Sequence, residues 1–127
     1  MDPLVNALNT ILSHEERRRN ECIITPASGL VGKVLRLIQG KGYVGEIEFI
    51  DDGRQGKFRV QLFGRINACK AVTPRFKTKV SEMEKWEKRF LPSRNLGVVI
   101  LSTPHGVMDH NKAKEENVGG VLLAYVY

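Results

Sequence analysis

The six residues Lys57-Phe58-Arg59-Val60-Gln61-Leu62 alternate strictly between polar and apolar. In extended backbone successive side chains point to opposite faces, so Phe58, Val60 and Leu62 share one face and Lys57, Arg59 and Gln61 the other. The segment reads as a strand with one apolar and one basic face, and such a strand needs a partner. Tyr43 to Ile50 supplies it across the turn Asp51-Asp52-Gly53-Arg54-Gln55-Gly56, which predicts a hairpin.

The residues before this hairpin alternate helix and strand. Asp2 can cap free amides and Pro3 suits a first turn. Leu4, Val5, Leu8, Ile11 and Leu12 then recur at helical spacing, predicting an amphipathic helix that ends before the charged run Glu15 to Arg19. Cys22 to Thr25 is a short strand stopped by Pro26. Ser28 is placed to cap a second helix with the stripe Leu30, Val31, Val34, Leu35 and Ile38, and Gly40 and Gly42 are its stops.

After Gly64 the pattern restarts. Ala68 to Val72 and Phe76 to Val80 are strand candidates on either side of Pro74. Ser81 and Glu84 have the spacing of a capping box. Met83, Trp86 and Phe90 share one face of the short helix that follows, ended by Pro92. A lone Trp in such a stripe is more often core than a base-stacking platform. Gly97 to Leu101 and Val121 to Tyr127 are strands. Between them come Ser102-Thr103-Pro104-His105-Gly106 and a polar stretch, Asp109 to Asn117, with one or two helical turns. The expected fold class is α+β: an N-terminal α-β-α-β-β subdomain over residues 1–66 and a C-terminal β-rich subdomain with one or two short helices over 67–127. No flexible segment separates them, so they are expected to pack tightly.

Composition narrows the class. Hydrophobic residues make up 42%, enough for a packed core. The longest apolar run, Val98 to Leu101, is far short of the roughly 20 residues of a membrane span. Met1-Asp2-Pro3 opens with an acid where a secretory leader has basic residues, so a cytoplasmic, unprocessed protein is expected. Cys22 and Cys69 belong to no CxxC and have no nearby His pair. They read as reduced core thiols, and no cofactor is expected.

Charge is more telling. Twenty Lys and Arg stand against 14 Asp and Glu, a net +6. From Gly53 to Ser81 the basic residues are Arg54, Lys57, Arg59, Arg65, Lys70, Arg75, Lys77 and Lys79, with no acid among them. The rest of the chain carries 12 basic and 14 acidic residues. A one-signed field attracts polyanions and releases their counterions. Alone, this charge fits a solvated face as well as a nucleic-acid partner.

Two chemical readings compete for the C-terminal half. Ser102, His105 and Asp109 suggest a cytosolic hydrolase, but Ser102 lies in no Gly-x-Ser-x-Gly elbow and His105 is three residues along the same turn. A metal site at His105, Asp109 and His110 matches no standard ligand spacing. The alternative is RNA. Small hydroxyls and Gly106 let backbone approach closely and exchange hydrogen bonds with base edges and 2′-hydroxyls, as Gly119 and Gly120 also can. The same residues are ordinary turn formers. A protein-interaction module using the last strand as an edge is a third possibility.

The run from Leu101 to Lys114, then Val118-Gly119-Gly120 and the ending Leu123 to Tyr127, resembles the signature of the small-subunit ribosomal protein S-eight family. Tyr43 to Asp52, Thr73 to Phe76 and Glu84 to Trp86 resemble its archaeal and eukaryotic branch. Asp2, Pro3, Asn6, Leu8 and Ile11 are similar to its first helix. The resemblance implies two closely associated α/β subdomains and a structural, non-enzymatic role, with early binding to an irregular helix in the central domain of small-subunit ribosomal RNA. It implies neighbouring ribosomal proteins as partners, no membrane, and a monomer outside the ribosome. By the same resemblance the RNA contacts fall on Ser102, Thr103, Pro104, His105 and Gly106, and on Asn117, Val118, Gly119 and Gly120. Lys33, Lys57 and Arg59 are expected to reach phosphates. Pro104 stands where many members have Ser, which removes one hydroxyl and one amide donor. His105 replaces the usual Lys, Gln or Ala. Ala27-Ser28-Gly29 resembles a family turn but lacks its lysine.

Overall fold

The computed structural model describes residues 2–93 and 95–127. These form four helices and two antiparallel sheets, a mixed α+β architecture. The chain divides into two compact units, residues 1–69 and 70–127.

The first unit opens with helix α1 (Pro3–Glu16). Asp2 Oδ1 accepts a hydrogen bond from the Leu4 amide at 3.0 Å, satisfying one of the free N–H groups of the first turn. Leu4, Leu8 and Ile11 of the expected stripe are buried, together with Ala7, while Val5 and Leu12 are half-buried. The helix does not stop before the charged run. It continues through Glu16 because Glu15, one turn beyond Ile11, lies on the same buried face. The Glu15 carboxylate accepts from the amides of Gly64 at 3.1 Å and Ile66 at 3.0 Å. A residue that reads as a solvated charge thus fixes the chain just after the central strand.

Strand β1 (Glu21–Ile24) precedes helix α2 (Gly29–Gly40), where Ser28 Oγ accepts from the Val31 amide at 3.2 Å. Strands β2 (Val44–Ile50) and β3 (Lys57–Leu62) form the expected hairpin. Its turn is built by two carboxylates. Asp51 accepts from Gly53 N, and Asp52 accepts from Arg54 N and Gly56 N, which holds the Asp52 carboxyl below its ordinary range. The sheet order is β1-β3-β2, so the alternating strand is central. Val60 and Leu62 are buried, while Arg59 and Gln61 face outward. The outward face is not purely basic, however. Arg59 sits opposite Ile23 and Glu48, with its Nη1 3.3 Å from Glu48 and its Nε 3.9 Å from Glu21. Neighbouring strands bring acids that the alternation of β3 alone could not reveal.

The second unit carries most of strand β4 (Cys69–Ala71), then β5 (Lys77–Thr78), a 3-10 turn (Val80–Glu82) and helix α3 (Met83–Phe90). Both strands are shorter than expected. The capping carboxylate is Glu82, accepting from the Lys79 amide at 3.0 Å, and not Glu84. Strand β6 (Val98–Thr103), strand β7 (Gly106–Asp109), helix α4 (His110–Glu116) and strand β8 (Gly120–Val126) complete the unit. The sheet order is β4-β8-β6-β7, with β5 also on β8. Met83, Trp86, Val99, Leu101, Met108 and Leu122 share one core. Trp86 is core as expected, 6% exposed, with its Nε1 donating to Thr78 Oγ1 at 2.7 Å.

Cys22 and Cys69 are free and buried. Burial pushes their thiols up to about 11 and about 12, so both stay protonated at neutral pH. The Cys69 thiol donates to the Leu8 carbonyl.

Glu15 provides the sharpest stability test of the first unit. Glu15→Ala leaves two amides without an acceptor and should cost about 3 kcal/mol in urea unfolding, whereas Glu15→Gln retains an acceptor oxygen and should cost less. A loss below about 0.5 kcal/mol for the alanine variant would show that the carboxylate is not structural.

Candidate nucleic-acid interface

Residues 102–106, read from the sequence as turn formers, make the turn and flanking ends of a β-hairpin. Ser102 and Thr103 end strand β6, Gly106 opens β7, and Pro104 and His105 make the turn between them. Ser102 pairs with Val107 and Thr103 with Gly106. Pro104 fixes its φ at about −65°, which excludes the mirror-image turns with positive φ at that position. Gly106, at φ +117°, absorbs the reversal that follows. The Thr103 hydroxyl organises the turn, accepting from the His105 amide at 3.1 Å and donating to the Gly106 carbonyl at 2.8 Å. Its proton is therefore spent inside the hairpin. Ser102 differs: its side chain is half-buried and makes no hydrogen bond among the described residues. Pro104, His105 and Gly106 are exposed.

Gly119 and Gly120 lie directly beside this hairpin. In β8, Gly120 pairs with Thr78 of β5 on one side, and Val121 pairs with Ser102 of β6 on the other. A Cβ on Gly120 would stand 2.3 Å from the Ser102 carbonyl oxygen, and one on Gly119 would stand 2.4 Å from the Thr78 carbonyl oxygen. Real Cβ contacts of that length essentially never occur, so the two glycines are required by the fold before any ligand is considered. They let two backbones close on either side of the strand.

Helix α4 delivers the chain to this point. Asn117 ends it in the left-handed conformation, φ 54°, and the Val118 amide donates back to the Ala113 carbonyl at 3.0 Å. His105 Nδ1 lies 2.7 Å from Glu116 Oε1, tying the hairpin tip to the end of α4. Lys112 pairs with the same carboxylate at 3.9 Å, and Lys114 with Glu87.

On the opposite side of the glycines stand two cations that residue-by-residue reading did not assign. Lys77 is opposite Val121, and the Lys79 backbone runs against Gly119. Both are exposed and neither ammonium has a carboxylate partner among the described residues. The acid-free stretch from 53 to 81 was their signal; their register on β8 was not legible from it. In the first unit, Lys33 is exposed on α2 and without an ion pair among the described residues. Lys57 is half-exposed opposite Ile50, and Arg59 is engaged by the two glutamates.

Among the described residues, the side chains of the hydrolase and metal readings have other surroundings. The His105 ring addresses Glu116, and Asp109 is buried opposite Ile100. His110 is 3% exposed, and its Nδ1 accepts from the Val99 amide at 3.0 Å. Its proton therefore sits on Nε2, 3.7 Å from Glu87, and burial lowers its pKa against the pull of that carboxylate. No group of three His, Cys, Asp or Glu side chains among the described residues is placed to hold a metal. No helix among them is long and apolar enough to cross a membrane.

A consequence for the site is direct. Gly120→Ala should force β6 and β8 apart and destabilise the chain by about 2 kcal/mol or more, while Gly29→Ala, with open space around it, should be neutral or slightly stabilising. Equal thermal midpoints for the two variants would refute the close-approach explanation.

Comparison with known proteins gives a consistent picture. The sequence profile of the family described as Ribosomal protein S8 matches residues 2–127. The small ribosomal subunit protein uS8 of Methanococcoides burtonii is 49% identical over 127 residues, covering 100% of this chain and 98% of its own length.

Proposed function

This chain belongs to the ribosomal protein S8 family, structural proteins of the small ribosomal subunit and not enzymes, and from that premise we propose that it binds ribosomal RNA through the end of its second sheet. The ligand is an irregular helix of the central domain of small-subunit RNA, bound early in subunit assembly, with neighbouring ribosomal proteins as further partners. One observation carries this reading. The exposed hairpin tip and the Ser102 hydroxyl lie beside Gly119 and Gly120, with Lys77 and Lys79 on the far side, and among the described residues neither the hydroxyl nor either ammonium has a side-chain partner.

The roles then divide by chemistry. Lys77 and Lys79 meet phosphates, which supplies affinity without sequence information. Ser102 donates to or accepts from a base edge or a 2′-hydroxyl, and the backbone at Gly106, Val118, Gly119 and Gly120 follows it closely. Thr103 acts chiefly by shaping the turn, keeping one acceptor lone pair for RNA. The exposed edge of the His105 ring can stack or accept. Pro104 costs the hairpin no hydrogen bond, because the first central residue of such a turn need not donate to the ladder. The smaller contribution of the first unit comes from Lys33 and Lys57, with Arg59 weakened by its glutamates.

Salt titration separates these roles. With full-length small-subunit RNA, Ser102→Ala should weaken binding by about 1 kcal/mol at every salt concentration, leaving the slope unchanged. Replacing both Lys77 and Lys79 by Ala should flatten the log–log slope by roughly 0.7 to 0.9 for each phosphate no longer neutralised. Identical slopes in all variants would overturn the division of roles.

A further inference from the structure

The outward register of β3 continues one step past the strand. After Lys57, Arg59 and Gln61 comes Phe63, and it is 47% exposed. An isolated exposed phenylalanine is ordinary, but this one is held in place from three directions. The Arg65 guanidinium carbon lies 5.0 Å from the centroid of its ring. Arg65 is itself anchored, its Nη1 donating to the Gly42 carbonyl at 3.1 Å. The far end of the ring rests over Gly45, where an added Cβ would come within 2.6 Å of it. That glycine falls in the register shift between Val44 and Ile47, so the irregularity of β2 makes the floor on which Phe63 sits. The backbone between Gly64 and Ile66 is pinned by the buried Glu15 carboxylate.

Other exposed apolar groups lack this construction. Phe49 is 58% exposed and also rests over a glycine, Gly56, but it meets Phe58 edge-on and no cation lies over it among the described residues. Arg65 has no carboxylate partner among the described residues. The second aromatic system, Phe76, Trp86, Phe90, Tyr125 and Tyr127, lies against the core of its own unit.

From these observations we propose that Phe63 and Arg65 form a second RNA contact, a preformed platform on which one unpaired nucleobase stacks. Unstacked bases in loops and bulges are taken up on aromatic rings and guanidinium planes, and every base offers a π face. The uncompensated guanidinium suits a polyanion and discourages an aliphatic protein surface. Fixing the ring and the guanidinium before binding removes most of the ordering cost. The platform rests on the RNA-binding reading above but uses different residues on a different unit, so it recognises an RNA nucleotide other than those at Ser102.

The test uses the full-length chain and full-length small-subunit RNA. Phe63→Leu keeps the apolar volume and removes the stacking surface; it should bind about tenfold more weakly with an unchanged salt slope. Phe63→Trp should bind at least as well as the parent, and its added tryptophan emission should be quenched by the RNA. Arg65→Gln should weaken binding and flatten the slope by roughly 0.7 to 0.9. Chemical probing should show one unpaired nucleotide protected by the parent and released by Phe63→Leu. Phe63→Leu keeps an apolar side chain over Gly45, so its thermal midpoint should lie within a few degrees of the parent's. If Phe63→Leu binds like the parent while Ser102→Ala is weakened, the platform is refuted and the RNA reading stands. If Phe63→Leu loses only a neighbouring protein during subunit reconstitution, the surface is a protein contact and the proposal falls. If no variant at either place alters RNA binding, the RNA reading itself fails.

Discussion

Everything at the end of the second sheet depends on three backbones passing closer than side chains allow. β8 begins between β5 and β6, and its first residues have no Cβ because the carbonyls of Thr78 and Ser102 already occupy that space. Removing the side chains from one strand brings the polar edges of its neighbours together on a surface a few residues wide. The Ser102 hydroxyl, the Thr103-Pro104-His105-Gly106 turn, Lys77 of β5 and Lys79 just after it become neighbours for that reason, although Lys77 lies 25 positions before Ser102 in sequence. A glycine pair here is first a packing device and only through that an element of recognition.

Charge is arranged by the same logic of neighbours. β3 places Arg59 outward by its own alternation, yet β1 and β2 set Glu21 and Glu48 against it, and exposed pairs of this kind add little to stability while lowering the local field. The Lys77 and Lys79 ammoniums make no such ion pair among the described residues, although the Glu82 carboxylate accepts from the Lys79 amide. Under the proposed function Lys77 and Lys79 meet phosphates without a competing ion pair among the described residues, and so does Arg65 above Phe63. The net positive charge of the chain is therefore less informative than the places where carboxylates are missing.

Much of the architecture was legible from periodicity and local chemistry. The β2–β3 hairpin, the caps at Asp2 and Ser28, the stripes of α1 and α2 and the burial of Trp86 follow from spacing that only one conformation satisfies. What stayed hidden depends on partners distant in sequence. Glu15 reads as part of a solvated charge run until Gly64 and Ile66 arrive at its carboxylate. β7 is short, so Gly106 to Asp109 merges in sequence with the turn before it and the helix after it. In the candidate site, resemblance points to residues but not to their chemistry. The Thr103 hydroxyl is occupied by the turn, the Ser102 hydroxyl is not, and Lys77 and Lys79 join them only through pairing to β8.

The proposed convergence of hairpin tip and β5 on one stretch of RNA is tested directly by hydroxyl-radical cleavage from iron–EDTA tethered to single introduced thiols, His105→Cys and Ser81→Cys. The native thiols of Cys22 and Cys69 are buried and protonated and should remain unlabelled. The two tethers should cut overlapping nucleotides within one irregular helix of the small-subunit RNA. Cleavage at unconnected positions, or none from either tether, would contradict the account.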